Sequence, residues 1–202
     1  SSDVCSSDLL MPAWEAGRYL GIKTIIVAPD NQRHQLSTIQ GTYTLYDAEC
    51  GLALAQMDAR RLTNLRTAAA SALASTYLAR PDARHLLMVG TGSLAPFLIA
   101  AHCAVRPIEV VSIWGRDFAK AAALAHSLKN EAPTFRPIRD LPGAVSEADV
   151  ISCATLSPSP LLYGEDLRPG QHLDLVGAYR PHMREADDEV VRRAQLFADT
   201  RT

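Results

Sequence analysis

The sequence predicts an α/β protein: a parallel sheet with helices on both faces, preceded by part of an antiparallel α+β domain. Three observations predict it. From His85 onward, short apolar runs alternate with helical segments, the rhythm of strand–helix–strand crossovers. Residues 11 to 57 instead hold strand-like segments with few helical ones, and Thr42 to Tyr46 alternates as in a sheet with one wet face. Between these parts, the stretch His85-Leu-Leu-Met-Val-Gly-Thr-Gly-Ser-Leu-Ala95 joins a buried strand to a helix through a glycine turn.

Taken in order, Ser1 to Leu9 repeats a short polar unit without periodicity, so it is set aside as a non-native leader joined to a truncated gene. Met11 to Leu20 carries apolar and aromatic residues at helical or irregular spacing. Gly21 to Val27 is β-branched and reads as a strand, broken by Pro29-Asp-Asn31. Thr42 to Tyr46 is the next strand, and Leu52 to Gln56 its hairpin partner across the turn at 47–51. Asp58 caps a long helix to Arg80, with Leu62, Leu65, Ala69, Leu73 and Leu78 as its apolar stripe and a second, smooth alanine face. Strands follow at 86–89, 108–114, 134–138, 149–154, 172–176 and 194–198, with helices from Ser93, at 118–128, at 141–147 and at 185–193. The expected division is residues 10–65 for a partial first domain and 66–202 for the parallel-sheet domain, with the abrupt end at Thr202 implying a fragment.

Composition narrows the function. The chain has 202 residues and a formal net charge of −2, with no basic stripe and little aromatic content, which argues against nucleic acid. No apolar run reaches the length of a membrane span. Cys5, Cys50, Cys103 and Cys153 are far apart and fit no metal spacing, nor do the six histidines, so no metal site is expected. Cys103 and Cys153 lie in apolar segments and read as small buried hydrophobes, which fits a reduced, cytoplasmic setting.

The glycine turn carries chemistry. Gly90, Thr91, Gly92, Ser93, Leu94 and Ala95 spell Gly-x-Gly-x-x-Ala after a strand and into a helix, the dinucleotide-binding fingerprint of a Rossmann-type sheet. Gly90 permits the sharp turn. Gly92 lets backbone approach a diphosphate, and Ala95 lets helix and strand pack closely. The helix N-terminus then offers N–H groups to the anion. Right-handed crossovers put the loops after residues 89, 114, 154 and 176 on one sheet edge. Ala154, Thr155, Val176 and Gly177 therefore join the cofactor-binding set. At the end of the second parallel strand an acid would accept the ribose 2′-OH. Here the segment is Trp114-Gly115-Arg116-Asp117. A guanidinium suits a 2′-phosphate, which favours NADP(H) over NAD(H); Asp117, a helix cap or a ribose contact, keeps NAD(H) as the alternative.

Lys23 and Arg66, from periodicity alone, read as solvated residues on a strand and a helix. No Gly-x-Ser-x-Gly elbow supports serine hydrolysis. Four stretches change the reading: Gly21-Ile-Lys23 with Asn31; Leu65-Arg-Thr-Ala-Ala-Ala-Ser-Ala72; Val89-Gly-Thr-Gly-Ser-Leu-Ala95; and Asp174-Leu-Val-Gly-Ala-Tyr-Arg-Pro-His-Met-Arg-Glu185. With them the chain from Leu10 to Thr200 resembles the ornithine cyclodeaminase/mu-crystallin family. The resemblance implies a homodimer whose antiparallel domain holds substrate and mediates association. It makes Lys23 and Arg66 partners of a substrate carboxylate and sets Thr67 close to the cofactor phosphates. One departure matters. Where the cyclodeaminases carry an aspartate acting on the substrate amine, this chain has Tyr179, which is not a carboxylate base at neutral pH. The resemblance therefore points to the cyclic ketimine reductases, acting on Δ1-pyrroline-2-carboxylate or Δ1-piperideine-2-carboxylate to give L-proline or L-pipecolate. The cyclodeaminase itself, with NAD, and a non-enzymatic NADPH-binding crystallin are the alternatives.

Overall fold

The computed structural model describes residues 7–34, 36–37, 39–128 and 132–198. They form two compact units that divide between Arg66 and Thr67.

The first unit is a four-stranded antiparallel sheet in the order β1-β2-β3-β4: β1 (Ser7–Glu15), β2 (Tyr19–Val27), β3 (Ile39–Asp47) and β4 (Ala53–Asp58). The helical or irregular spacing read at 11–20 is a hairpin instead. β1 and β2 pair along their whole lengths from Ser7↔Val27 to Glu15↔Tyr19, and Gly17, at φ 73°, makes the turn between them. The alternation was hidden because both faces of β1 carry apolar residues. Ser7 to Leu9, set aside as leader, lie within this pairing.

α1 (Ala59–Leu78) follows at once, and the Asp58 carboxylate accepts the Arg61 N–H at 2.7 Å as its cap. Its apolar stripe is not its buried face. Leu65, Leu73 and Tyr77 are exposed, whereas Ala68, Ser71, Ala72, Ser75 and Ala79 are buried. That spacing of three and four residues is one helical face made only of small side chains. With bulky residues on one face and small ones on the other, periodicity could not choose, and close packing chose the small face. Arg106 Nη2 donates to the carbonyls of Ser75 and Ala79, the latter at 2.9 Å, and so closes the end of α1.

The second unit runs β5 (His85–Val89), α2 (Ala95–Val105), β6 (Val110–Trp114), α3 (Phe118–Ser127), β7 (Thr134–Pro137), α4 (Leu141–Glu147), β8 (Val150–Cys153), β9 (His172–Leu175) and α5 (Asp188–Arg193). The five strands are parallel in the order β7-β6-β5-β8-β9. This is the doubly wound order 3-2-1-4-5, with its switch point between β5 and β8. Leu86, Leu87, Met88 and Val89 are fully buried, as a strand covered on both faces requires. Leu86 and Met88 pack with Leu98 and Ile99 of α2 and Ala121 and Ala125 of α3. Leu87 and Val89 pack on the other side with Leu141 and Val145 of α4 and Val190 of α5.

Two expected elements differ. Residues 194–198 form no strand; Leu196 and Phe197 are exposed. α5 begins at Asp188, capped by Asp187 accepting the Val190 N–H at 2.9 Å, so Glu185 lies before the helix. Among the described residues no helix is long and apolar enough to cross a membrane.

Candidate active site at the carboxyl edge of the parallel sheet

The glycine turn sits where the topology places a ligand. Gly90 N–H donates to the Trp114 carbonyl at 2.9 Å, and Ala154 N–H to the Val89 carbonyl at 2.9 Å. These bonds stitch the ends of β5, β6 and β8 together. Gly90 has φ 120°, and a Cβ there would stand 2.5 Å from the Ala154 carbonyl oxygen. Only glycine fits that wedge. Gly92 differs: it lies outside the left-handed region, and a Cβ would meet no atom within 4 Å. Among the described residues nothing fills this space, so the cradle fits the close backbone approach of a diphosphate. Ser93 and Leu94 form a turn, with Ala95 N–H bonded to the Gly92 carbonyl at 3.1 Å, and α2 begins at the fully buried Ala95.

At the end of β6, a Cβ on Gly115 would stand 2.8 Å from the Thr91 methyl. An acidic side chain at the ribose position would therefore need Thr91 to move. Arg116 is exposed. Asp117 accepts the Ala119 N–H at 2.9 Å and is the cap of α3. Arg139, which follows β7, stacks its guanidinium 3.8 Å above the Phe118 ring.

On the other side of the switch point, Thr155 and Gly177 follow β8 and β9. Glu185, 2% exposed, joins them. Its Oε1 accepts the Thr155 N–H at 2.6 Å and the Thr155 hydroxyl at 2.8 Å; its Oε2 accepts the Gly177 N–H at 2.8 Å. Deeper in the same sheet, Asp174 Oδ2 accepts the Ser152 hydroxyl at 2.8 Å and lies 3.2 Å from Nε2 of the fully buried His102. Burial opposes the Asp174 charge, but hydrogen bonds from His102, Ser152 and Ser71 outweigh it and hold the carboxyl below its ordinary range. Burial pushes the Cys153 thiol well up, and that of Cys103 to about 11, so both are inert as nucleophiles.

In the first unit, Lys23 pairs across β2 with Met11 of β1 and Tyr43 of β3. A Cβ at Gly21 would collide with the Tyr43 phenol, so glycine there lets the ring lie along the sheet. Burial and the nearby Arg66 guanidinium lower the Lys23 ammonium below its ordinary value. Lys23 and Arg66 are thus near enough for their like charges to interact. Thr67 lies next along α1, and Tyr179 is exposed. No group of three or more His, Cys, Asp or Glu side chains among the described residues could hold a metal ion.

The sequence reading missed Glu185, Asp174 and His102 as contributors to this edge. Asp174 and Glu185 bound one of the four stretches quoted above. A lone acid within a β-strand, as Asp174 is, was the available signal of a satisfied buried carboxylate.

Comparison with known proteins agrees with the geometry. The model of the ornithine cyclodeaminase/mu-crystallin family matches residues 6–202. A Δ1-pyrroline-2-carboxylate reductase from Paracoccus denitrificans is 43% identical over 190 residues, covering 94% of this chain and 60% of the relative. The structure of the Thermococcus litoralis Δ1-pyrroline-2-carboxylate reductase in complex with NADH and L-proline superposes with a TM-score of 0.84 at 29% identity, covering 93% of this chain and 58% of that one. The iminosuccinate reductase of Paracoccus denitrificans in complex with NAD+ gives 0.83 at 32% identity, covering 96% and 60%. The chain thus spans about 60% of the length of the proteins it matches.

Proposed function

The chain belongs to the ornithine cyclodeaminase/mu-crystallin family, and on that premise we propose that it serves NAD(P)H-dependent reduction of a cyclic ketimine carboxylate, Δ1-pyrroline-2-carboxylate or Δ1-piperideine-2-carboxylate, to L-proline or L-pipecolate. One observation carries the reading. At the switch point of the parallel sheet, Gly90 is wedged against Ala154 while Gly92 leaves open space at the mouth of α2. The similarity to a pyrroline-2-carboxylate reductase holding NADH and L-proline supports the substrate class.

Gly90, Thr91, Gly92, Ser93, Leu94 and Ala95 hold the diphosphate in this reading, with Thr67 beside the phosphates and Ala154, Thr155, Val176 and Gly177 along the remaining half of the dinucleotide. Bound there, the reduced nicotinamide supplies the hydride. Arg66 and Lys23 hold the substrate carboxylate, which fixes the orientation of the ring imine. Lys23, its ammonium lowered by burial and by Arg66, keeps a proton available for the imine nitrogen. The exposed Arg116, with glycine rather than an acid at position 115, favours NADPH over NADH. Asp117 Oδ1 caps the helix, and a ribose contact through its other oxygen keeps NAD(H) as the alternative.

Two wider features belong to the same proposal. The first unit exposes Leu10, Trp14 and Ile26 on one face of its sheet and Leu9 and Met11 on the other, apolar surface suited to the homodimer that the family resemblance implies. Cys50, Cys103 and Cys153 are free thiols, in keeping with a cytoplasmic enzyme. The test is NADPH and NADH oxidation with the five- and six-membered imines side by side, and ornithine with NAD+ as a third arm. Imine-dependent oxidation is expected. Ammonia release from ornithine, or tight NADPH binding with no turnover on either imine, would replace the reading by one of its alternatives.

A further inference from the structure

We infer that Glu185 is a positioning residue for the nicotinamide half of the cofactor site; the inference rests on the dinucleotide reading above. The carboxylate is buried, and hydrogen-bond donors from two different loops meet it: the N–H and hydroxyl of Thr155 after β8, and the N–H of Gly177 after β9. Its own carbonyl accepts the N–H groups of Leu161 and Leu162 at 2.9 and 3.0 Å, and the neighbouring Arg184 N–H donates to the Ser157 carbonyl at 2.7 Å. One residue therefore ties three segments at the carboxyl edge.

Gly177 makes the same point independently. A Cβ there would collide with the backbone of Thr155 and stand 2.5 Å from Glu185 Oε1. The two loops are held at a spacing that only glycine allows. The Thr155 N–H and hydroxyl and the Gly177 N–H converge on two carboxylate oxygens, with the Cys153 thiol also in hydrogen-bond contact. The adenosine half of a dinucleotide lies toward β6, where the ribose is read. The other half would then fall to the loops after β8 and β9, which Glu185 ties together. Glu185 thus acts through the two residues whose donors it holds, Thr155 and Gly177.

The test is Glu185→Gln, which keeps the shape but turns an N–H₂ toward one of the donors. Binding of NADPH and of 2′-phospho-ADP-ribose, which lacks the nicotinamide, is measured by calorimetry beside the melting temperature. The expected result is at least tenfold weaker NADPH binding with 2′-phospho-ADP-ribose within about twofold of wild type. On an active enzyme kcat falls with little change in the imine KM. Equal weakening of both ligands, or no change in either, overturns the inference. Failure of the unaltered protein to bind 2′-phospho-ADP-ribose would count against the dinucleotide reading instead. Should E185Q not fold, Thr155→Val, which removes the hydroxyl's bond to Glu185 and its long contact with the Ser157 N–H at 3.5 Å, must show the same selective loss at smaller size; equal affinity for NADPH would overturn the role.

Discussion

Gly92→Ala and Gly90→Ala should part company, and the difference follows from the backbone. At Gly92 the new methyl meets nothing within 4 Å and the residue lies outside the left-handed region. Folding should be unaffected, or stabilised by about 0.4–1 kcal/mol through the stiffer unfolded chain. The methyl does occupy the space a diphosphate needs, so NADPH binding should weaken at least tenfold, a loss of about 1.4 kcal/mol or more. At Gly90 the residue would be held at φ 120° with its Cβ 2.5 Å from the Ala154 oxygen and 3.4 Å from the Thr155 methyl. Strain and overpacking together cost about 3 kcal/mol or more. For a chain of this size that is a fall of roughly 6–12 °C in melting temperature. Calorimetric scanning and NADPH titration of both variants give the answer. A Gly92→Ala protein that folds and binds NADPH normally would refute the assignment of the open cradle to the diphosphate.

Three further outcomes follow. Arg66→Gln removes the positive neighbour that lowers Lys23, so the Lys23 ammonium should titrate closer to its ordinary value; amine labelling of Lys23 followed across pH by mass spectrometry should show slower reaction at a given alkaline pH. Arg116→Ala should weaken NADPH by about tenfold or more, the worth of a hydrogen bond to a charged group, and leave NADH unchanged, as read from paired titrations. Asp174 is held below its ordinary pKa against burial, so its contribution to stability is complete above the unfolded value of about 3.9 and is lost as pH falls through the lower folded value. Asp174→Asn should therefore cost about 1–3 kcal/mol at pH 7, with the urea midpoints of the two proteins converging in strong acid.

The parallel sheet was legible because its strands are buried on both faces and so appear as apolar runs with sharp ends. Leu141–Glu147 could be read to its limits, since Asp140 caps it, accepting the Gly143 N–H at 3.2 Å. The glycine turn was legible for the same reason: Gly90 has a conformation few other residues adopt. Other parts were not. In α1, leucines at helical spacing suggested a core face, but the helix buries alanines and serines. Hydrophobicity cannot say which of two apolar faces packs. Leu196 and Phe197 looked like a strand because the pattern of a buried strand and of an exposed apolar pair is the same over five residues. Glu185 was illegible because it stands in Arg184-Glu-Ala-Asp-Asp-Glu189, a run that reads as solvated; its burial depends on donors 30 and 8 residues away. The proximity of the Lys23 and Arg66 charges likewise depends on tertiary placement, since periodicity alone makes each a solvated residue.

Isotope transfer tests the reduction most directly. The protein is incubated with Δ1-pyrroline-2-carboxylate and NADPH deuterated at the transferable nicotinamide position, and the proline formed is analysed by mass spectrometry and chiral chromatography. The account predicts L-proline carrying one deuterium at Cα for each NADPH consumed. NADPH oxidation without deuterated proline, or no oxidation at all, would contradict it.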